Sequence, residues 1–241
     1  MSVEQRDVHD FDTVVMQDVG TLVITQGKQE SLTVDTELDL KDVYTEVHHG
    51  VLTLRLGRTL LDRLSTALEH SLTSPRVHYR LGIKQLCALT VAGAGRVECA
   101  ALHTQSLGVT LAGVGDVSLQ GLAAQELNVE LTGSGRAQVA GKAEQQRVRL
   151  SGLGSYEGTD LQSQRARVHI SGMGRATVWA EQELDANLAG MGSIEYRGNP
   201  QLKQRRGMMG SITHVGNGQR TTTSGPDIRP PRPPKPPFAR G

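Results

Sequence analysis

Six Gly-x-Gly pairs preceded by Ser, Ala or Thr, two cysteines, eight histidines and a group of arginines are the residues of this chain whose types could do chemistry. Paired glycines cradle phosphate when they form G-x-G-x-x-G between a strand and a helix, because the glycines let the backbone approach the anion at the helix N-terminus. Here the stretch SGMGRATVWA, residues 171–180, lacks the third glycine and runs on without a helix start, so the glycines read as structural. Cys87 and Cys99 lack zinc-site spacing and are too few for a disulfide scaffold; both are expected to be buried small hydrophobes. No HExxH occurs, and His48 and His49 fall at a hairpin turn with rings expected to point apart, so no metal site is expected. A calcium ladder of the RTX type needs Asp two residues after each second glycine, whereas Asp116 follows its glycine directly and its counterparts are Arg and Ser. Glycosidases and lyases group carboxylates in one groove, but Glu98, Glu130, Glu157, Asp160, Asp185 and Glu195 form no column. The expectation is a chain that is not an enzyme, with no catalytic residue and no cofactor; a polysaccharide-active enzyme is the remote alternative.

What positions these residues is a repeat. The pairs are AGAG (92–95), AGVG (112–115), TGSG (132–135), SGLG (151–154), SGMG (171–174) and AGMG (189–192), with a decayed copy, MMGS, at 208–211. Their second glycines, Gly95, Gly115, Gly135, Gly154, Gly174, Gly192 and Gly210, are 20, 20, 19, 20, 18 and 18 residues apart. Self-similarity at such a period marks a solenoid. Around each pair apolar and polar residues alternate, as in Leu107, Val109, Leu111 and then Val117, Leu119, which is the period of a strand with one face inward.

Overlaying the copies gives inward columns. One is Val91, Leu111, Leu131, Leu150, Ile170 and Leu188; another is Val97, Val117, Ala137, Tyr156, Ala176, Ile194 and Ile212. A unit of about twenty residues cannot close its own core, but copies stacked about 4.8 Å apart bury a continuous one. The fold class is therefore all-β, a parallel β-helix with coils of about 18–20 residues. Both glycines are expected to face inward at a bend, where a Cβ would crowd a narrow core or demand a strained φ. Scarce aromatics, with two Phe, four Tyr and one Trp, suit thin β layers.

The chain divides into a β-helical domain, 1–216, with repeat coils over 85–216, and a disordered, proline-rich basic tail, 217–241. Residues 11–27, 31–40 and 43–56 also read as strands, with turns at Gly27 and His49-Gly50; Gly20 mimics a second glycine, so coiling is expected to begin there. Residues 58–72, with apolar residues at 60, 61, 64, 68 and 72, read as a short amphipathic helix. The formal charge is +1; the tail carries +4 (Arg220, Arg229, Arg232, Lys235 and Arg240 against Asp227), which leaves −3 for the body and argues against specific nucleic-acid binding. No apolar h-region opens the sequence and no run reaches the length of a membrane span, so the expected location is the cytoplasm.

Two surfaces are candidates for binding. The residue between the glycines points outward and runs Ala94, Val114, Ser134, Leu153, Met173, Met191, Met209, so Leu153, Met173, Met191 and Met209 would line up as an exposed apolar edge able to dock a protein or polysaccharide partner. Arg147, Arg149, Arg165 and Arg167 stack in successive coils and could bind a polyanion.

The order and spacing of FDTVVMQDVGTLVITQG, GVLTLRL, the serial S/A/T-G-x-G turns and GSIEYRGNP resembles the putative auto-transporter adhesin head domain, or GIN domain, over about residues 7–216. The resemblance implies a right-handed β-helix and a cell-surface, adhesive role as the alternative location, with no catalytic residue or cofactor to carry over. The expected function is a non-catalytic, adhesin-like binding module. Its alternative is a self-assembling scaffold resembling bactofilins, a homo-oligomer joined through the ends or edge of the rod.

Overall fold

The computed structural model describes residues 2–17, 19–57 and 77–216; the expected 58–72 helix and the expected tail at 217–241 lie outside the described residues. The described chain is a parallel β-helix, and among the described residues the one helical element is a single 3-10 turn, Leu40–Asp42. Two stacks of strands meet at the Gly-x-Gly corner. The first, entering the corner, contains β8 (Ala88–Val91), the second half of β10 (Leu102–Leu111), and the second halves of the long strands β11 (Val114–Leu131), β12 (Ser134–Leu150), β13 (Leu153–Ile170) and β14 (Met173–Leu188), and ends at β16 (Gln201–Arg206). The second, leaving the corner, runs from β9 (Ala94–Cys99) through the first halves of β11 to β14 to β15 (Met191–Arg197) and β17 (Gly210–His214).

The register is the one the period implies. Gly20, Gly95, Gly115, Gly135, Gly154, Gly174, Gly192 and Gly210 are successive ladder partners, and both inward columns pair member to member. Their side chains, from Val91 and Val97 to Leu188 and Ile194, are fully buried and form a single core. Each repeat hides its apolar face only because another lies above and below it.

The first eighty residues depart from simple succession. β2 (Thr13–Met16) pairs in parallel with both β6 (Val51–Leu56) and β8, and β3 (Gly20–Gln26) with both β7 (Val77–Ile83) and β9. The coil made by β6 and β7 therefore lies outside the coil that precedes it in sequence, and the chain then passes back over to β8. Beyond that outer coil the strands turn antiparallel: β5 (Val43–His48) covers β6, β4 (Ser31–Thr36) covers β7, and β1 (Ser2–Arg6) covers β4. The expected strand over 31–40 thus stops at Thr36 and gives way to the 3-10 turn capped by Asp39, whose carboxylate accepts the Lys41 N–H.

Where β3 leaves the coil for these caps, the Gln26 side chain replaces missing ladder bonds. Its amide donates to the carbonyls of Lys84 and His103 at 3.1 and 3.0 Å and accepts the His103 N–H at 2.8 Å. Beside it Glu30, with a side chain only 6 % exposed, accepts the Lys84 ammonium at 2.8 Å and the Asp10 N–H at 3.3 Å. The Lys84 bond holds the Glu30 carboxyl below the usual carboxylate range. A carboxylate whose folded pKa is depressed adds stability above its unfolded pKa, and that stability is lost as pH falls through the folded value. Urea melts from pH 6 down to pH 3 are expected to show the wild type losing more stability than Glu30→Gln; parallel acid limbs would remove the clasp from the account.

Candidate binding surface at the glycine corner

At the corner the backbone of each coil lies directly on the one before. The residue between the glycines donates its N–H to the first glycine carbonyl of the preceding coil: Val114 to Gly93 at 3.0 Å, Ser134 to Gly113 at 3.0 Å, Leu153 to Gly133 at 3.1 Å, Met173 to Gly152 at 3.2 Å and Met191 to Gly172 at 3.0 Å. A Cβ on Gly113, Gly133, Gly152, Gly172 or Gly190 would overlap a backbone carbonyl of the neighbouring coil, and the same holds at Gly115, Gly135 and Gly174. The crowding has two directions: along the stack these positions meet a carbonyl of the neighbouring coil, and toward the core Gly95, Gly135 and Gly210 also meet the buried side chains of Met16, Leu111 and Leu188. A left-handed φ is required only at Gly20 and Gly192 in this column, at 151° and 144°.

Glycine on either side leaves the intervening side chain standing clear. Leu153, Met173 and Met191 are ladder partners and are 53 %, 47 % and 43 % exposed, and Met209 extends the line at 72 %. With Met208, which the sequence pattern does not single out, they bound a shallow groove of about 600 Å³ floored by Gly152, Gly172, Gly190 and Gly207. Four of these five are methionines and the fifth is a leucine, exposed side chains that give a surface able to adapt to the shape of what it meets.

The structure also brings the arginines together. Arg147 pairs in register with Arg167, Arg149 with His169 and Gln145 with Arg165. Three of the guanidiniums hold carboxylates: Arg147 with Glu126 at 3.3 Å, Arg165 with Glu144 at 2.9 Å and Arg167 with Asp185 at 3.5 Å. Arg149 has no ion pair among the described residues and borders a trough of about 730 Å³ with His169 and Arg205.

The cysteines separate. Cys99 is buried, as expected, and burial raises its thiol pKa. Cys87 is only half-buried; Leu86, one residue earlier, takes the interior place, and Cys87 lies beside Asp12, so that burial and then the carboxylate raise its thiol pKa. His49 sits at the β5–β6 turn with φ 49°, but the rings of His48 and His49 meet edge-to-face at 4.0 Å instead of diverging. Among the described residues no group of three or more His, Cys, Asp or Glu could hold a metal ion.

Sequence reasoning missed a polar knot inside the coils. Gln146 stands in a core column between Leu127 and Ala166, and its amide donates to Ser163 Oγ at 2.8 Å and to the Trp179 carbonyl at 3.1 Å. Tyr156 OH donates to Gln146 Oε1 at 3.0 Å, and Ser163 Oγ donates to the same Trp179 carbonyl at 2.6 Å. The signal was present: glutamine one repeat after a buried leucine, at an inward position.

The sequence profile of the family described as putative auto-transporter adhesin, head GIN domain, matches residues 10–200. The chain belongs to this family. The GIN-domain assignment agrees with solved structures of the same shape. A putative adhesin from Bacteroides fragilis superposes with a TM-score of 0.73 at 21% identity, covering 89% of this chain and 96% of that one. A putative lipid binding protein from Parabacteroides distasonis gives 0.65 at 20% identity, covering 89% and 96%. A putative adhesin from Parabacteroides merdae gives 0.64 at 15% identity, covering 89% and 95%. At these identities the likeness carries the fold. No curated protein matches the chain.

Proposed function

We propose that this GIN domain is a non-catalytic binding module of the cell surface, whose apolar corner edge, Leu153, Met173, Met191 and Met209, docks a macromolecular partner through that partner's own apolar side chains. The observation that carries the reading is the uninterrupted exposed edge itself, since contiguous apolar area on a soluble protein is rare without a use. Family membership and the adhesin names of the solved relatives support a binding role and a surface location. The arginine face is the weaker candidate for a polyanion, because a ligand there would compete with the carboxylates of Glu126, Glu144 and Asp185.

The test uses beads coated with the purified chain, presented to surfaces of mucin, collagen and fibronectin. The wild type is expected to adhere to at least one, and the fourfold change Leu153→Ser, Met173→Ser, Met191→Ser, Met209→Ser to lower adhesion at least tenfold. Because these side chains are exposed, each replacement is expected to shift stability by no more than about 0.5 kcal/mol. Adhesion that survives the fourfold change discards the edge. Failure of an impermeant label to reach the protein on intact cells discards the surface location.

A further inference from the structure

The two ends of the rod are built differently. At the N-terminal end the parallel stacks are closed by the antiparallel strands β5, β4 and β1. At the C-terminal end they simply stop. β16 pairs with β14 and β17 with β15, and among the described residues neither has a strand on its other side. Among the described residues no strand covers the core there: Leu202 and Ile212 continue the columns of Leu184 and Ile194, which are fully buried, yet both are only partly buried themselves.

The ends also differ in charge. Residues 197–216 hold Arg197, Lys203, Arg205 and Arg206 and no Asp or Glu. Arg197 is tied to Asp160 at 3.8 Å; Lys203, Arg205 and Arg206 are exposed on the terminal strand. The first fifty residues carry eleven Asp or Glu against Arg6, Lys28 and Lys41. Of these acids Glu37, Asp42 and Glu46 are exposed on the outermost layer, in β5 and the segment joining it to β4.

We propose that the occupant of the open C-terminal end is the acidic N-terminal end of a second copy, so that the rods stack head to tail. Two C-terminal ends repel, since a two-fold contact sets Lys203, Arg205 and Arg206 against themselves, and two N-terminal ends repel likewise. The following residues, 217–241, are a poor cover by sequence alone: they carry the same positive sign, and their seven prolines have no N–H to give to an edge. A head-to-tail contact uses two different surfaces and need not close, so it propagates into filaments. The stack would cover Leu202 and Ile212 and neutralise both poles, and it would carry the corner edge of each copy along one fibre. This goes beyond the binding role proposed above and does not depend on it.

Sedimentation of the full chain tests it. At about 20 mM salt the weight-average mass is expected to rise with concentration to more than twice that of one chain, and to return to one chain at about 500 mM, where charges a few ångströms apart are screened. Lys203→Glu, Arg205→Glu, Arg206→Glu made together, and separately Glu37→Lys, Asp42→Lys, Glu46→Lys made together, are each expected to stay single while keeping a cooperative melt. An equimolar mixture of the two is expected to associate again, because each reversed end then meets its complement. A wild type that stays single at every concentration, association that survives either reversal, or a mixture that fails to recover, overturns the proposal.

Discussion

Gly172→Ala is expected to lower the stability of the fold by about 3 kcal/mol, at the upper end of what forced overpacking costs. The added methyl would overlap the carbonyl oxygens of Ser151 and Gly152 in the coil beneath. The Gly152 carbonyl cannot rotate away without losing the Met173 N–H at 3.2 Å, and the chain just before Ser151 is pinned by the Gly172 N–H on the Leu150 carbonyl at 3.2 Å. Relief comes only by spreading two coils, which loosens the ladder on both sides of the corner. For a chain of this length about 3 kcal/mol corresponds to roughly 6–12 °C in melting temperature. Gly27→Ala is the control: nothing lies within 4 Å of its Cβ, and removing a glycine from the unfolded ensemble is expected to leave stability unchanged or raise it by up to about 1 kcal/mol. Equal effects at the two sites would mean that the corner glycines serve chain flexibility and not the close approach of coils.

The contrast between those sites also explains what could be read from the residues beforehand. A stacked coil repeats its environment, so the identity of Leu111, Leu131 and Leu150 states their register without reference to coordinates, and the outward line from Leu153 to Met209 follows from the same alternation. The N-terminal caps carry no such redundancy. Whether β4 lies parallel or antiparallel to β7 depends on the path of the loops, since a period of two is the same in either direction. Nor does any local pattern require β6 and β7 to form the coil outside β2 and β3, for that order is set by pairings made across 38 residues for Thr13 with Val51 and 57 residues for Thr21 with His78. Cys87 departs from its expected burial for a related reason: it lies one repeat, 20 residues, before the buried Leu107, but at the point where the chain crosses from β7 to β8 the interior place has moved to Leu86.

The largest loss is expected at Tyr156. Its phenol ring is fully buried in a column where Ala137 and Ala176 are the ladder partners on either side, and Gly158 leaves the ring its space, since a Cβ there would lie 2.6 Å from the Tyr156 Cε1. Large between small keeps the column at constant width, so Tyr156→Ala opens a cavity that two alanines cannot fill and is expected to cost about 3–5 kcal/mol. Tyr156→Phe keeps the packing and removes one donor; Gln146 Oε1 is then buried without its hydrogen bond, for about 1–3 kcal/mol. Adding Gln146→Leu to that variant restores the residue type of Leu127 and removes the orphan, while Ser163 keeps its bond to the Trp179 carbonyl. The pair is therefore expected to cost less than the sum of its single changes by about 1 kcal/mol, the mark of direct coupling. Titration supplies a second readout. Burial raises the Tyr156 pKa above the ordinary phenol value, so its contribution is complete below about pH 10 and lost as pH climbs toward the folded value, where only the unfolded chain can ionise. An alkaline limb of stability steeper in the wild type than in Tyr156→Phe is the expected result. Identical limbs would mean that the phenol is reached by solvent in the folded chain, and the closed polar knot would have to be abandoned with it.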